Sequence, residues 1–195
     1  MNLSRRKCLS RVAGYSLVEM MMTLAIGLVL ASMALPTMIG AIQSYRLNSV
    51  AQQVANLIDL TRYTAIRRNS IVRARTTPDN TVLFIDLNGN GNLDAGEPMV
   101  LLPNDMQLSN TQCPKPDPNT PGLAPGLSPL QDFAGQITFD YRGTVNFSGG
   151  GSTAAYFLAL GYITQVRYGC RAITVTQMGQ TKVWKAPDGS TWTMM

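Results

Sequence analysis

The stretch GYSLVEMMMTLAIGLVLASMAL, residues 14–35, decides how this chain is organised. It follows a short leader that carries four basic residues and no acidic one, and the charged side chain within it is Glu19. An apolar run of about 20 residues is long enough to cross a bilayer as a helix. A basic stub before such a run is typical of a membrane anchor whose amino end stays in the cytoplasm, or of an export signal.

A secretory signal peptide is the alternative interpretation of this segment. It would end in small residues before a cleavage site, and Ala31–Ala34 matches that pattern poorly. A carboxylate such as that of Glu19 inside an apolar segment also costs a few kcal/mol unless something pairs with it. The pattern therefore favours an anchor.

The composition argues against an enzyme. The chain has 195 residues, of which 45% are hydrophobic and 14% charged. This length suits one domain with a core of its own, or a smaller domain plus an appendage. The chain contains no histidine, which excludes histidine-based general base catalysis, histidine-dependent nucleophiles and histidine-ligated zinc. Its three cysteines are too few for a Cys₄ metal site.

The residues Gly14–Glu19, between a basic leader and an apolar helix, resemble the class III signal of type IV pilins and pseudopilins. The resemblance implies that a prepilin peptidase cuts after Gly14 and methylates the new amino terminus at Tyr15, where the family usually has phenylalanine. It implies that Glu19 serves assembly by neutralising the amino group of a neighbouring subunit. Pro36 lies where many pilin helices bend, so we expect a kink or local melting there.

Removal of the leader, residues 1–14, would change both the charge and the cysteine count. The formal charge of +5 would fall to +1, because twelve basic and eleven acidic residues would remain. The basicity is thus mainly a topology signal and not evidence for nucleic acid. Cys8 leaves with the leader, and Cys113 and Cys170 remain as a pair on the far side of the membrane, which predicts a disulfide. A redox-active pair is the alternative, but the Cys-x-x-Cys spacing is missing.

Hydrophobic periodicity predicts an α+β fold. Apolar residues recur at steps of three and four from Ile39 to Ile58, which predicts that the helix continues to about Arg68. Short β-branched runs then predict antiparallel strands at residues 70–75, 81–86, 98–102, 136–141, 144–147, 155–160, 171–176 and 182–184. The predicted organisation is a leader 1–14, a helix 15–68 with its membrane part at about 15–38, and a periplasmic β-rich domain 69–195 on which the helix packs.

Three segments narrow the resemblance to the GspH/FimT branch of minor pilins and pseudopilins. They are a helix exit with Ala-Ile-Arg-Arg-Asn at residues 65–69, an Asn/Gly-rich hairpin at 84–97, and the strand and turn 136–143. The insertion 113–129 has no clear counterpart; it holds six of the eleven prolines and is typical of a stiff exposed loop.

The hairpin also matches the calcium-loop pattern D-x-[DN]-x-[DN]-G-x₅-E. Its oxygen-bearing side chains are Asp86, Asn88, Asn90, Asn92, Asp94 and Glu97. Such alternating oxygens can converge on Ca²⁺, with Gly91 at the sharp turn. The alternative is a tight structural turn, because the flanks are predicted strands instead of the helices of an EF-hand, and Asn and Gly readily adopt positive φ.

A second candidate site is basic. The candidate nucleic-acid contacts are Arg62, Arg67, Arg68, Arg171 and Lys182, with Arg73, Arg75, Arg167 and Lys185 nearby and Tyr63, Tyr168 and Trp184 as stacking platforms. Some FimT-like proteins bind DNA through a Gly-Arg-x-Arg motif, and the matching residues 179–182 lack both arginines. The alternative is a set of solvated surface charges or subunit contacts.

The resemblance implies a minor pilin or pseudopilin of a type IV pilus that primes or caps a filament, with no catalysis and no cofactor other than the calcium considered above. Its partners would be other pilins, prepilin peptidase and the inner membrane. The alternatives are a DNA-binding tip pilin for DNA uptake and a pseudopilin of type II secretion.

Overall fold

A computed structural model of the protein describes residues 14–108, 113, 115, 130–146, 155–163, 168–189 and 191–195. The leader through residue 13, nearly all of the Pro-rich loop 113–129 and the candidate Arg167 lie outside the described residues. The chain divides into two compact units, one ending at Ala41 and the other running from Ile42 to Met195.

One α-helix, α1 (Leu17–Arg68), accounts for 52 residues. Ser16 lies at its N-cap, where its carbonyl accepts the amide of Met20 at 3.1 Å. The helix continues through Pro36 without a break in its secondary structure, so local melting is not seen there, and a kink stays a prediction.

The end of α1 at Arg68 confirms the boundary predicted from the sequence. Asn69 follows the helix with a φ of 49°. Its amide donates a hydrogen bond to the carbonyl of Ile66 at 3.2 Å, and the amide of Ser70 donates one to the carbonyl of Ala65 at 3.2 Å. This pair of bonds is the Schellman motif, which satisfies the last helical carbonyls and turns the chain out of the helix.

The described residues of the first unit are residues 14–16 and the apolar part of α1. All described side chains of residues 14–35 are exposed. In the described part of the chain, α1 is long and apolar enough to cross a membrane, and none of its most apolar window is buried. Apolar exposure on all sides of a helix is expected where lipid or other helices replace water.

Eleven strands follow within the described residues. They are β1 (Val72–Thr76), β2 (Val82–Asp86), β3 (Met99–Leu101), β4 (Met106–Leu108), β5 (Leu130–Asp132), β6 (Gln136–Phe139), β7 (Val145–Asn146), β8 (Ala155–Tyr162), β9 (Cys170–Thr176), β10 (Thr181–Ala186) and β11 (Thr193–Met194). Each of the eight predicted runs overlaps one strand, with ends that differ by up to two residues, and β1, β8, β9 and β10 extend beyond the runs predicted for them. The short strands β4, β5 and β11 were not predicted.

The strands form two sheets. The first has the order β3-β2-β1-β6-β7 and the second the order β11-β10-β9-β8-β4, and all these pairings are antiparallel. The short β5 departs from the predicted pattern because it pairs in parallel with β8.

The main core lies between α1 and both sheets. Leu47, Ala51, Val54 and Ile58 are fully buried on one helix face, at the three- and four-residue spacing that the sequence shows. Residues of both sheets join them, among them Ile85 of β2 and Leu158 of β8. The predicted packing of the helix on a β domain is therefore present.

A second, smaller core covers the other face of the second sheet. Phe157, Trp184 and Trp192 lie in it together with the two cysteines, and the rings of Phe157 and Trp192 meet edge to face at 5.7 Å. Every residue of β8 is buried because this strand contacts one core on each face.

Candidate functional site

The residues of the proposed cleavage site precede α1. Gly14, Tyr15 and Ser16 are outside the helix, which begins at Leu17. Tyr15 is 78% exposed, and among the described residues no atom beyond the chain neighbours lies within 4 Å of the position that a Cβ on Gly14 would take. None of the described residues therefore covers the Gly14–Tyr15 peptide bond.

Glu19 lies in the first turn of α1 and is exposed. A carboxylate at this end of a helix interacts favourably with the helix dipole. Within the described residues Glu19 takes part in no ion pair, since those found join Arg75 to Asp86 and Lys115 to Asp132.

The predicted disulfide between Cys113 and Cys170 is present, with Cα atoms 5.8 Å apart. Both cysteines are buried in the second core, where Cys170 begins β9. The bond joins residues 57 positions apart and fixes Cys113, the first residue of the Pro-rich loop, to the second sheet.

The candidate calcium residues lie in the loop between β2 and β3, and their oxygens are engaged within it. Asp86 is 2% exposed, and its carboxylate accepts the amides of Gly89 and Gly91 at 2.6 and 3.1 Å. The same carboxylate pairs with Nε of Arg75 at 3.0 Å. Arg75 Nη1 lies 3.2 Å from the position that a Cβ on Gly91 would take, so the guanidinium lies beside the loop.

The other two carboxylates hold the loop together. Asp94 Oδ2 accepts the side-chain amides of Asn88 and Asn90, each at 2.7 Å. Glu97 accepts the amide of Leu87 at 2.8 Å and that of Asp94 at 3.1 Å. Asn92 is exposed, and its amide donates to Oδ1 of Asn90.

These hydrogen bonds join side chains and backbone amides of the loop itself. No group of three or more Asp, Glu, His or Cys that could hold a metal is found in the part of the chain that was searched, which is the described residues. The geometry favours the structural turn, and calcium binding stays a prediction.

Two of the candidate nucleic-acid residues are in the core, and their prediction is wrong. Arg171 is 4% exposed; its guanidinium bonds Oδ1 of Asn48 and the carbonyl of Cys170. Trp184 is buried, and its indole N–H donates to Oγ1 of Thr174 at 2.9 Å. Neither side chain is accessible to a phosphate or a base.

The remaining basic candidates are dispersed. Arg67 and Arg68 are exposed at the end of α1, where Arg68 donates to the carbonyl of Leu87 at 3.2 Å. Lys182 is half-buried on β10, and Lys185 is exposed there. Arg73 is half-buried on β1, and Tyr168 packs edge to face on Tyr162 at 5.4 Å.

Arg62 has a structural contact that the sequence did not indicate. Its Nε donates to the carbonyl of Gly143 at 3.1 Å. A Cβ on Gly179 would lie 2.5 Å from that same carbonyl and 2.8 Å from Arg62 Nε. The last turns of α1, the β6–β7 turn and the β9–β10 turn therefore converge at one place.

Two known protein families match different parts of the chain. Residues 50–179, about two thirds of the chain, match the family described as type II transport protein GspH. Residues 9–35 match the prokaryotic N-terminal methylation motif. The chain belongs to the GspH family.

Two solved structures have weak similarity to this GspH-family chain. The type IV minor pilin FimU of Pseudomonas aeruginosa is 13% identical, covers 76% of this chain and 93% of its own, and gives a TM-score of 0.49. The minor pseudopilin EpsH from the type 2 secretion system of Vibrio cholerae is 15% identical, covers 70% of this chain and 94% of its own, and gives 0.44. No curated protein sequence matches the chain.

The two family matches identify this GspH-family chain as a minor pilin or pseudopilin subunit. The family is one of structural pilin-like proteins and not of enzymes. Membership implies association with other pilins in a filament, and the methylation motif together with the exposed apolar helix fits membrane anchoring.

Proposed function

We propose that this chain is a minor subunit of a type IV pilus that primes or caps the filament. Prepilin peptidase cuts the precursor between Gly14 and Tyr15 and methylates the new amino terminus. The open, non-helical backbone at this bond supports the proposal, because a peptidase can bind an extended segment without first unwinding a helix.

The precursor lies in the inner membrane with its leader in the cytoplasm and its β domain in the periplasm. Four basic residues in the leader favour this orientation. The Cys113–Cys170 disulfide supports it as well, since structural disulfides persist mainly in oxidising compartments.

The observation that carries the proposal is the position of Glu19. It is the charged side chain of an otherwise apolar segment, it lies five residues from the cleavage site, and it has no ion-pair partner within the described residues. Such a carboxylate is costly in lipid. The amino group that cleavage frees on a neighbouring subunit supplies the missing partner, and their pairing gives the helix bundle its register.

The test is a count of surface pili in a deletion strain. We expect pili to be lost, and to return with the native chain but not with Glu19→Ala. Thr23→Ala is the matched control, because Thr23 is exposed one helical turn later and its hydroxyl bonds only the Met20 carbonyl among the contacts described. Pili in normal number without this chain, or full rescue by Glu19→Ala, would contradict the proposal.

A second candidate function is that of a pseudopilin in type II secretion, which the description of the matching family favours. It predicts normal pili and loss of a secreted enzyme from the medium of the deletion strain.

A DNA-binding tip pilin is the third alternative. It predicts salt-dependent DNA binding that is lost on replacement of Arg67 and Arg68. The burial of Arg171 and Trp184 removes two of the contacts on which this alternative relied.

A further inference from the structure

Three segments that are distant in sequence form one surface at the C-terminal end of α1. They are residues 62–68, the β6–β7 turn 140–144 and the β9–β10 turn 176–180, and we call them together the turn surface. The three segments approach so closely that two glycines at their contact leave no room for a side chain. A Cβ on Gly143 would lie only 2.7 Å from Cδ1 of Ile66, and a Cβ on Gly179 would collide with the carbonyl oxygen of Gly143. Both glycines have positive φ, of 77° and 72°. The amide of Val145 also bonds the carbonyl of Gln177 at 2.9 Å, so the two turns are joined directly.

The turn surface exposes large apolar side chains from all three segments. The exposed fractions are 64% for Tyr63, 43% for Ile66, 48% for Tyr141 and 67% for Met178. Single exposed apolar residues are normal on a soluble domain. Four that are supplied by converging segments make a patch of the kind that marks an interaction site.

The surface is also cationic. Arg67 and Arg142 are exposed on it, and Arg62 lies half-buried between the two turns. The guanidinium of Arg142 lies 5.2 Å from the ring centre of Tyr141. The two nearby carboxylates are engaged: Asp59 accepts the hydroxyl of Thr181 at 2.7 Å, and Asp140 accepts that of Thr144 at 2.8 Å. The positive charges thus outnumber the negative ones, and the negative ones serve the fold.

The backbone of the turn surface is fixed before any partner arrives. Asp140 closes the β6–β7 turn by accepting the amides of Arg142 and Thr144 at 2.9 and 2.8 Å. The amide of Gly179 bonds the carbonyl of Thr176 at 2.8 Å in the β9–β10 turn. A surface that is ordered in advance loses little conformational entropy on binding.

We propose that the turn surface docks a different pilin-like subunit whose contacting face carries carboxylates around an apolar centre. This inference rests on the proposed function, since it names the partner surface of the same filament subunit. Met178 and Tyr63 contribute the apolar contacts, and Arg67 and Arg142 attract and orient the acidic rim.

Two other occupants fit the surface less well. A symmetric contact with a second copy would place arginines against arginines, which costs free energy. Nucleic acid would use the arginines and the two tyrosines, but it offers little to the aliphatic side chains of Ile66 and Met178, because base recognition relies on stacking.

The test is site-specific photo-crosslinking of the full chain in the native cells. A benzophenone amino acid replaces Met178, and the matched control carries it at Leu101, which is 65% exposed on β3 in the other sheet. We expect a crosslink from position 178, but not from 101, to a protein that mass spectrometry identifies as having its own prepilin-type amino terminus. The same cells are fractionated to ask whether the chain is present in filaments.

A charge reversal tests the chemistry of the partner. Arg67→Glu with Arg142→Glu is expected to lower the crosslink yield from position 178 by about fivefold, which corresponds to a loss of about 1 kcal/mol from the two exposed charge pairs together. Lys185→Glu on β10 is the control for an exposed charge outside the turn surface, and its crosslink yield should equal that of the native chain.

Every other result of the crosslinking experiment contradicts the proposal, and the results can be told apart. A crosslinked species of twice the mass of this chain would make the surface a contact between copies, and one shortened by nuclease would assign it to nucleic acid. A chain that enters filaments but gives no crosslink from 178 would leave the proposed function intact and remove the docking surface. A chain that is absent from filaments and forms no crosslink would remove both.

Discussion

Arg171 on β9 donates a hydrogen bond from Nε to Oδ1 of Asn48 on α1, and this bond joins the second sheet to the helix inside the domain. Its Nη1 donates to the carbonyl of Cys170 at 2.9 Å. Burial lowers the pKa of the guanidinium, and no ion pair to it is found among the described residues. The side chain therefore fixes the helix by hydrogen bonding and not by charge pairing.

We expect Arg171→Met to lower the free energy of unfolding by about 2 kcal/mol, because it removes one hydrogen bond to the half-buried Asn48 side chain and one to the buried carbonyl of Cys170. Urea denaturation of the full chain in mild detergent, followed by tryptophan fluorescence, measures the effect. The control is Arg67→Met at an exposed position, which should change stability by less than about 0.5 kcal/mol. Equal effects of the two variants would show that the Arg171 contacts contribute nothing.

The burial of Arg171 marks where sequence analysis succeeded and where it failed. In β9 this residue has the same phase as Ile173 and Val175, which both face the main core. The alternation in β9 therefore indicates that Arg171 faces the core, whereas its residue type indicates exposure, because arginine is rarely buried. Trp184 was misassigned for a related reason: the second core covers the outer face of its sheet, and no local pattern indicated that this face is covered.

The helix and the turns were predictable because local chemistry specifies them. Asn69 adopts the left-handed conformation that ends α1, and the Asn/Gly loop after β2 is closed by its own side chains. The turn surface was not predictable, because Gly143 and Gly179 meet Arg62 through contacts between residues that are far apart in sequence.

The disulfide should stabilise the domain strongly. Replacement of both Cys113 and Cys170 by serine removes a link across 57 residues, and we expect a loss of roughly 4 kcal/mol from the greater entropy of the unfolded chain. Trp184 and Trp192 lie in the same buried cluster, so their fluorescence reports on it directly.

Chemical reduction of the native chain is the matching control for that double variant. Dithiothreitol should shift the urea midpoint of the native chain toward that of the variant and leave the variant unchanged. A native chain whose midpoint is insensitive to reduction would contradict the expected contribution of the bond.

Asp140 gives the domain an acid-sensitive contribution to stability. Burial raises the pKa of this carboxyl, whereas hydrogen bonds from the hydroxyl and amide of Thr144 and from the amide of Arg142 lower it. The hydrogen bonds outweigh the effect of burial, so the pKa lies below its usual 3.8. A lowered pKa means that the unfolded state binds protons more readily. The contribution is therefore complete above about pH 4 and is lost as the pH falls through the lowered value.

We expect Asp140→Asn to cost about 1 kcal/mol at pH 7 and to flatten the fall in stability below pH 4. Urea titrations at intervals between pH 7 and pH 2 measure both effects. Thr144→Ala removes one donor and keeps the backbone donors, so it should flatten the profile only in part. Asp79 also has a lowered pKa, through bonds from Thr77 and Thr81, and contributes to the same pH range in every variant. A variant profile parallel to that of the native chain would contradict the role of Asp140.

The loop between β2 and β3 should not need calcium, because a cation is already present beside it. Arg75 pairs with the buried carboxylate of Asp86, and Glu97 and Asp94 accept hydrogen bonds from within the loop. A calcium ion would have to displace these hydrogen bonds and approach a guanidinium of like charge.

We expect 1 mM calcium to leave the thermal midpoint of the full chain unchanged relative to 1 mM magnesium. A site with a Kd of about 0.1 mM would instead add about 1.4 kcal/mol, which corresponds to a shift of several degrees. A calcium-specific rise that Glu97→Gln abolishes would assign the ion to this loop and overturn the expectation.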